Sequence, residues 1–104
     1  MNVSIPGQRT VIGFYGKDMQ CIVAAEECAE LIQAVTKMLR LKKAISETTV
    51  DEYNLAYSNL VEEMADVLII LEQLQMIFKI SDHEIQRVVE EKCARQEVRM
   101  HEHV

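Results

Sequence analysis

The chain has 104 residues, 49% of them hydrophobic, with three glycines and one proline, which is typical of one folded, helical domain over residues 1–104. Its net charge of −6 argues against nucleic acid as a general partner, since no basic surface dominates. The longest apolar run, 67–71, is too short to cross a bilayer, and the N-terminus lacks the apolar segment of a signal peptide. Three cysteines without the spacing of a disulfide framework or zinc site favour a cytoplasmic location.

The first predicted elements are an arm and a long helix. Residues 1–16 show no helical period and contain several breakers, which predicts a loop or extended arm: Pro6, Gly7, Gly13 and Gly16. A helix is predicted from residue 17 or 18 to residue 43, with Asp18 near its start. Four basic residues lie near its end, where the helix dipole favours them: Lys37, Arg40, Lys42 and Lys43.

Two further helices are predicted after a short connection at 45–50. The second helix covers 51–78, with Ser58-Asn59 as a candidate break. Ser81 and Glu84 have the Ser-x-x-Glu spacing of a capping box, which predicts that a last helix begins here and continues to about residue 100.

Two acidic motifs of the same design lie within the first two helices, Glu26-Glu27-x-x-Glu30 and Glu62-Glu63-x-x-Asp66. At about 100° per residue, Glu27 and Glu63 point along the middle of the apolar stripe of their helices. Solvated acidic faces are the usual explanation of such pairs, but carboxylates directed at a core are costly unless a cation compensates them. The repeated geometry therefore predicts a metal site.

The ligand types select the metal. Four carboxylates without a neighbouring Cys or His predict a hard, all-oxygen site for Mg²⁺, with Mn²⁺ as the alternative. The sequence contains no Glu-x-x-His motif, which a di-iron site in a helical bundle would need. Because Mg²⁺ in proteins usually holds substrate phosphates as well, we expect a phosphate-bearing substrate.

A basic face on the last helix is a candidate for the phosphates. Lys92, Arg95 and Arg99 lie within about 60° of one another around the helix, beside Ile85 and Val88. Lysine offers a point charge and arginine a forked donor to phosphate oxygens. The alternative is that these are solvated charges or partners of acidic neighbours such as Glu91.

The second helix also predicts self-association. Residues 67–71 are apolar almost all round, and Ala65, Ile69 and Met76 cover the side away from Glu63. A helix that is apolar on all sides is expected to be buried on all sides, which three helices cannot easily achieve. A homo-oligomer that sandwiches this helix is the expected arrangement.

These segments resemble the MazG-like nucleoside triphosphate pyrophosphohydrolases of the all-α NTP pyrophosphatase superfamily. The resemblance covers about residues 14–99 and is carried by EECAELIQAVTKMLR, EEMADVLIILEQL, YGKDMQ and the late Lys92-x-x-Arg95. It implies a bundle of three to four helices, assembled as a dimer or tetramer with sites built partly across subunits. It also implies Mg²⁺-dependent cleavage of a nucleoside triphosphate to the monophosphate and pyrophosphate.

The resemblance also assigns roles to residues. The metal ligands would be the carboxylates at four motif positions: Glu27, Glu30, Glu63 and Asp66. Glu26 would orient water, and the substrate would be held by Lys92, Arg95, Arg99, Tyr15 and Gln20.

The sequence departs from the family pattern at two places, and two other functions stay open. Val89 stands where many members have an asparagine that contacts the nucleotide, and Tyr15 is near the position of a common tryptophan. One alternative is a relative that acts on another diphosphate bond, such as a phosphoribosyl-ATP pyrophosphohydrolase. The other is a non-catalytic helical oligomerisation module that has kept the scaffold.

Overall fold

The computed structural model describes residues 1–43 and 48–103, and within these ranges the chain forms four α-helices and no strand. The helices are α1 (Gln8–Tyr15), α2 (Lys17–Lys43), α3 (Val50–Phe78) and α4 (Asp82–Glu102). The predicted all-α fold class is therefore confirmed. Among the described residues, none of the helices has the length and apolarity needed to cross a membrane.

The core is an antiparallel hairpin of α2 and α3, which form the largest interface between helices. Each helix turns one row of residues toward the other, spaced alternately four and three apart as in a coiled coil. The row on α2 is Gln20, Ala24, Glu27, Leu31, Ala34, Met38 and Leu41, and that on α3 is Ala56, Leu60, Glu63, Val67, Ile70, Leu74 and Ile77. All fourteen are buried or half-buried. Glu27 and Glu63 therefore occupy positions that normally hold apolar side chains.

The helix ends agree closely with the predicted ones. Thr49 caps α3 by accepting a hydrogen bond from the Glu52 backbone N–H at 3.1 Å, and α4 begins with the predicted Ser81–Glu84 capping box. Lys79 adopts a left-handed conformation with φ of 56°, which ends α3. The candidate break at Ser58-Asn59 was wrong, because α3 is continuous there. Of the predicted connection, residues 45–47 lie outside the described ranges.

The N-terminal prediction was wrong for eight residues. Residues 1–7 have no regular structure, but α1 forms from Gln8 despite the glycines around it and within it. Gly7 precedes the helix with φ of 79°, and the Gly16 backbone N–H closes it by donating to Ile12 at 2.8 Å. So short a helix is marginal by itself, and its packing against α2 and α3 stabilises it.

A relay of glutamine side chains joins the three packed helices. Gln20 on α2 donates to Gln73 on α3 at 2.8 Å, and Gln73 donates to Gln8 on α1 at 2.7 Å. The relay ends where Gln8 donates to the Pro6 carbonyl oxygen at 2.9 Å. Gln20 and Gln73 are only 6% and 2% exposed, so these bonds satisfy amides that would otherwise be costly to bury.

Gln73→Leu should lower the free energy of unfolding by about 1–3 kcal/mol, because it leaves the Gln20 amide buried without its acceptor. The shift of the urea midpoint measures this loss. Gln96→Leu makes the same chemical change at an exposed position of α4 and should shift the midpoint little. Equal shifts in the two variants would contradict a structural role for the relay.

Helix α4 stands apart from the hairpin. Every residue in it is exposed, and it packs against no other helix of the described chain. Its first residue, Asp82, accepts a hydrogen bond from Gln75 on α3 at 2.8 Å. The radius of gyration is 17.5 Å, whereas a compact chain of this length has one of about 13 Å.

Candidate metal centre

Four carboxylates from the two halves of the hairpin converge at its middle. Glu27 and Glu30 lie one turn apart on α2, and Glu63 and Asp66 lie one turn apart on α3. In the antiparallel register of the hairpin, Glu27 lies beside Asp66 and Glu63 beside Glu30. One oxygen from each of the four lies within 4.8 Å of the others, which is close enough for one ion to contact them all.

Two of these carboxylates are held in an unfavourable environment. The Oε2 atoms of Glu27 and Glu63 are buried and accept no hydrogen bond from any described residue. Burial, with the negative charges of Asp66 and Glu30 beside it, raises the pKa of Glu27 to about 7. Burial and the charges of Glu30 and Asp66 also raise the pKa of Glu63. The site thus concentrates negative charge, and among the described residues no lysine or arginine forms an ion pair with it.

The donor set fits a hard divalent cation. All the available donors are carboxylate oxygens, the ligands that Mg²⁺ and Mn²⁺ prefer. Acidic clusters on helices are common without an ion, and Glu30 is itself exposed. The two orphaned oxygens are the feature that a solvated acidic face lacks, because such a face leaves its oxygens in water.

The other predicted site residues are distributed unevenly around this cluster. Glu26 precedes Glu27 on α2 and is exposed to solvent. Tyr15, 60% exposed, ends α1 with its ring edge-on to Phe14 at a centroid distance of 4.8 Å. Gln20 is buried in the glutamine relay, so its side-chain N–H is already used within the fold.

The predicted phosphate-binding face is not brought to the cluster within one chain. Lys92, Arg95 and Arg99 are exposed residues of α4, which packs against no other helix in the part of the chain described. Within the described chain, this face therefore does not contribute to the carboxylate cluster.

A groove beside the cluster contains basic residues that the sequence analysis assigned to the helix end. Glu30 and Glu63 form part of a groove of about 640 Å³ that also includes Lys37, Arg40 and Asn59. The signal that could have found Lys37 is its spacing, since it follows Glu30 by seven residues and thus lies on the same face of α2.

Comparisons of the chain with models of protein families, with curated proteins and with solved structures find no match. Assignment to the MazG-like enzymes therefore stays a prediction from the two acidic motifs and the residues around them.

Proposed function

We propose that the protein is an Mg²⁺-dependent nucleoside triphosphate pyrophosphohydrolase that yields a nucleoside monophosphate and pyrophosphate. The observation that carries the proposal is a convergence of four carboxylates within 4.8 Å at the interface between α2 and α3: Glu27, Glu30, Glu63 and Asp66. The orphaned oxygens of Glu27 and Glu63 support it, as does the resemblance of both acidic motifs to this enzyme family.

The four carboxylates would hold the cation between the two helices. A bound divalent cation supplies polarisation of phosphate oxygens and a water of lowered pKa. Glu26, exposed beside Glu27, can accept a hydrogen bond from a water molecule and orient it. Ala24 and Ala34, which flank the acidic motif in the row of α2 that faces α3, are buried. The carboxylates are therefore held on rigid helix backbone and not on a loop.

Product analysis tests the proposed reaction. The protein is incubated with a panel of nucleoside triphosphates in Mg²⁺, and phosphate is measured with and without added inorganic pyrophosphatase. Phosphate that appears only when pyrophosphatase is present, together with a nucleoside monophosphate, is the expected result. Release of phosphate without pyrophosphatase would place cleavage at another bond, and no release for any nucleotide would contradict the proposal.

A non-catalytic oligomerisation module is the second candidate, because α4 and much of α3 expose apolar side chains, such as Leu55, Leu71 and Val98. Such a module need not bind metal. An increase in melting temperature on addition of Mg²⁺, absent with EDTA, would favour the enzyme, and a melting temperature independent of Mg²⁺ would favour the module.

We further propose that the chain acts as a homo-oligomer in the cytoplasm. It exposes 8551 Å² of surface, whereas a compact monomer of 12.0 kDa exposes about 6,000 Å². The difference is of the size that obligate homodimers and larger assemblies bury. The apolar side of α3 away from Glu63, which was predicted to be buried, contributes to it, since Ala65 is exposed and Met76 is 36% exposed.

Light scattering at micromolar concentration should therefore give at least twice the chain mass of 12.0 kDa. The reason is that the chain exposes more surface than a compact monomer of its mass, and association between chains would bury it. Leu71→Glu places a charge on the exposed side of α3 and should shift the mass toward that of one chain, whereas Glu72→Gln should not. A wild-type protein that is monodisperse at 12.0 kDa would contradict the prediction.

A further inference from the structure

We infer that Lys37 and Arg40 of α2 bind the terminal phosphates of a polyphosphate ligand, in the groove that leads away from the carboxylate cluster. This inference rests on the proposed function, since it assigns the groove beside the proposed metal centre. The groove has two chemically distinct ends, with Glu30 and Glu63 at one and Lys37 and Arg40 at the other.

The basic end lies at a suitable separation from the acidic end. Along the axis of α2, the distance from Glu30 is about 10 Å to Lys37 and about 15 Å to Arg40, at a rise of about 1.5 Å per residue. Their long, exposed side chains can shorten this separation. The groove between them is open and about 640 Å³ in volume, which leaves room for an extended anion.

The two basic side chains are not used within the fold. In the described residues, neither Lys37 nor Arg40 forms an ion pair, although the four carboxylates of the cluster lie on the same hairpin. The positive charges therefore stay separate from the acidic cluster instead of neutralising it. A ligand with one end on a divalent cation and the other on lysine and arginine would match both ends of the groove.

The helix dipole does not account for both residues. Its effect is confined to the last turn, which in α2 is residues 40–43, so it can explain Arg40 and Lys42. Lys37 lies a turn earlier. Asn59 of α3 lines the same groove, and its amide offers a neutral donor there. Lys42 belongs to a different groove, beside Met38 and Tyr53, which makes it a matched control.

Titration calorimetry with inorganic tripolyphosphate tests the inference on the full chain, because this probe has the phosphates of a nucleotide but no base. In Mg²⁺, Lys37→Gln and Arg40→Gln should each weaken tripolyphosphate binding about tenfold or more, since each removes a charge-assisted contact. Lys42→Gln removes the same charge from the same helix and should change the affinity less than threefold. Unchanged affinity in the first two variants, or equal weakening in all three, would overturn the inference.

Two further titrations separate this inference from the proposed function. Mg²⁺ alone should bind wild type, Lys37→Gln and Arg40→Gln equally, because neither residue is a ligand. A wild type that binds Mg²⁺ and releases pyrophosphate, but whose tripolyphosphate affinity falls only in Lys92→Gln and Arg95→Gln, would overturn the groove assignment and leave the function standing. A wild type that binds no Mg²⁺ would overturn both.

Discussion

Glu27→Gln and Glu63→Gln should each lower Mg²⁺-dependent turnover by about a hundredfold or more. Even the loss of a residue that only hydrogen-bonds to a metal ligand typically costs about 10–100-fold in metal affinity or activity. Each residue supplies one of the four converging oxygens, and an amide is a weaker ligand for a hard cation than a carboxylate. Helix content measured by circular dichroism should be unchanged, since both substitutions keep the shape of the side chain. Pyrophosphate release under saturating nucleotide measures the loss.

The control for these variants is Glu62→Gln. Glu62 precedes Glu63 on α3 and loses the same charge on substitution, but it is exposed and lies outside the cluster. Its variant should keep activity within a few-fold of wild type. Near wild-type turnover in Glu27→Gln or Glu63→Gln would show that the ligand assignment is wrong.

The same two variants should be more thermally stable than wild type in EDTA. Without a cation, Glu27 and Glu63 place buried charges next to Asp66 and Glu30, and neutral amides remove part of that repulsion. A rise in melting temperature combined with lost turnover separates a functional residue from a structural one. Replacement of a structural core residue would lower both.

The hairpin and its carboxylates were predictable from the sequence because local periodicity determines them. The row of α2 residues at four- and three-residue spacing places Glu27 among apolar neighbours, and the matching row on α3 does the same for Glu63. The short connection between the helices makes them antiparallel neighbours. Which residues lie opposite one another also depends on the register, which the structure sets by pairing Gln20 with Gln73 and Glu27 with Asp66.

Features that depend on contacts between distant residues were not predictable in this way. Helix α1 has a glycine inside it, at Gly13, and its stabilisation comes from α2, α3 and the hydrogen bond between Gln73 and Gln8. The groove at Lys37 depends on where Asn59 of α3 lies, which periodicity in α2 does not report. The position of α4 could not be predicted from contacts either, since no other described helix packs against its faces.

The stability of the metal-free protein should rise as pH falls from about 8 to about 5. The folded-state pKa of Glu27 is about 7, against an ordinary value of 4.5, so between these values the folded chain binds more protons than the unfolded chain. The stabilising contribution of protonated Glu27 is therefore complete below about pH 4.5 and is lost as the pH rises through about 7. The expected change is roughly 1–2 kcal/mol, less than the full shift implies, because the carboxylate is partly exposed to water.

Urea denaturation in EDTA at a series of pH values measures this dependence. Glu27→Gln should make the curve shallower between pH 5 and 8, because it removes a group whose pKa the fold raises into this range. Glu84 has the opposite sign, since hydrogen bonds from the Ser81 backbone N–H and hydroxyl lower its pKa. Its contribution is present at neutral pH and is lost only at acid pH. Glu84→Gln should therefore lower stability by a constant amount in the neutral range, without changing the slope there, and should flatten the curve below about pH 4.5.

Saturating Mg²⁺ should remove most of the slope in the neutral range. The cation binds the ionised carboxylates, so protons compete with it, and its stabilising effect grows as Glu27 loses its proton near pH 7. Wild-type protein in Mg²⁺ should therefore be about equally stable at pH 6 and pH 8, whereas in EDTA it should be less stable at pH 8 than at pH 6. The same slope with and without Mg²⁺ would mean that the four carboxylates do not share a cation, whatever the activity of the protein. Glu27→Gln should lose most of the difference between the two conditions, because a neutral amide neither competes for protons nor binds the ion strongly.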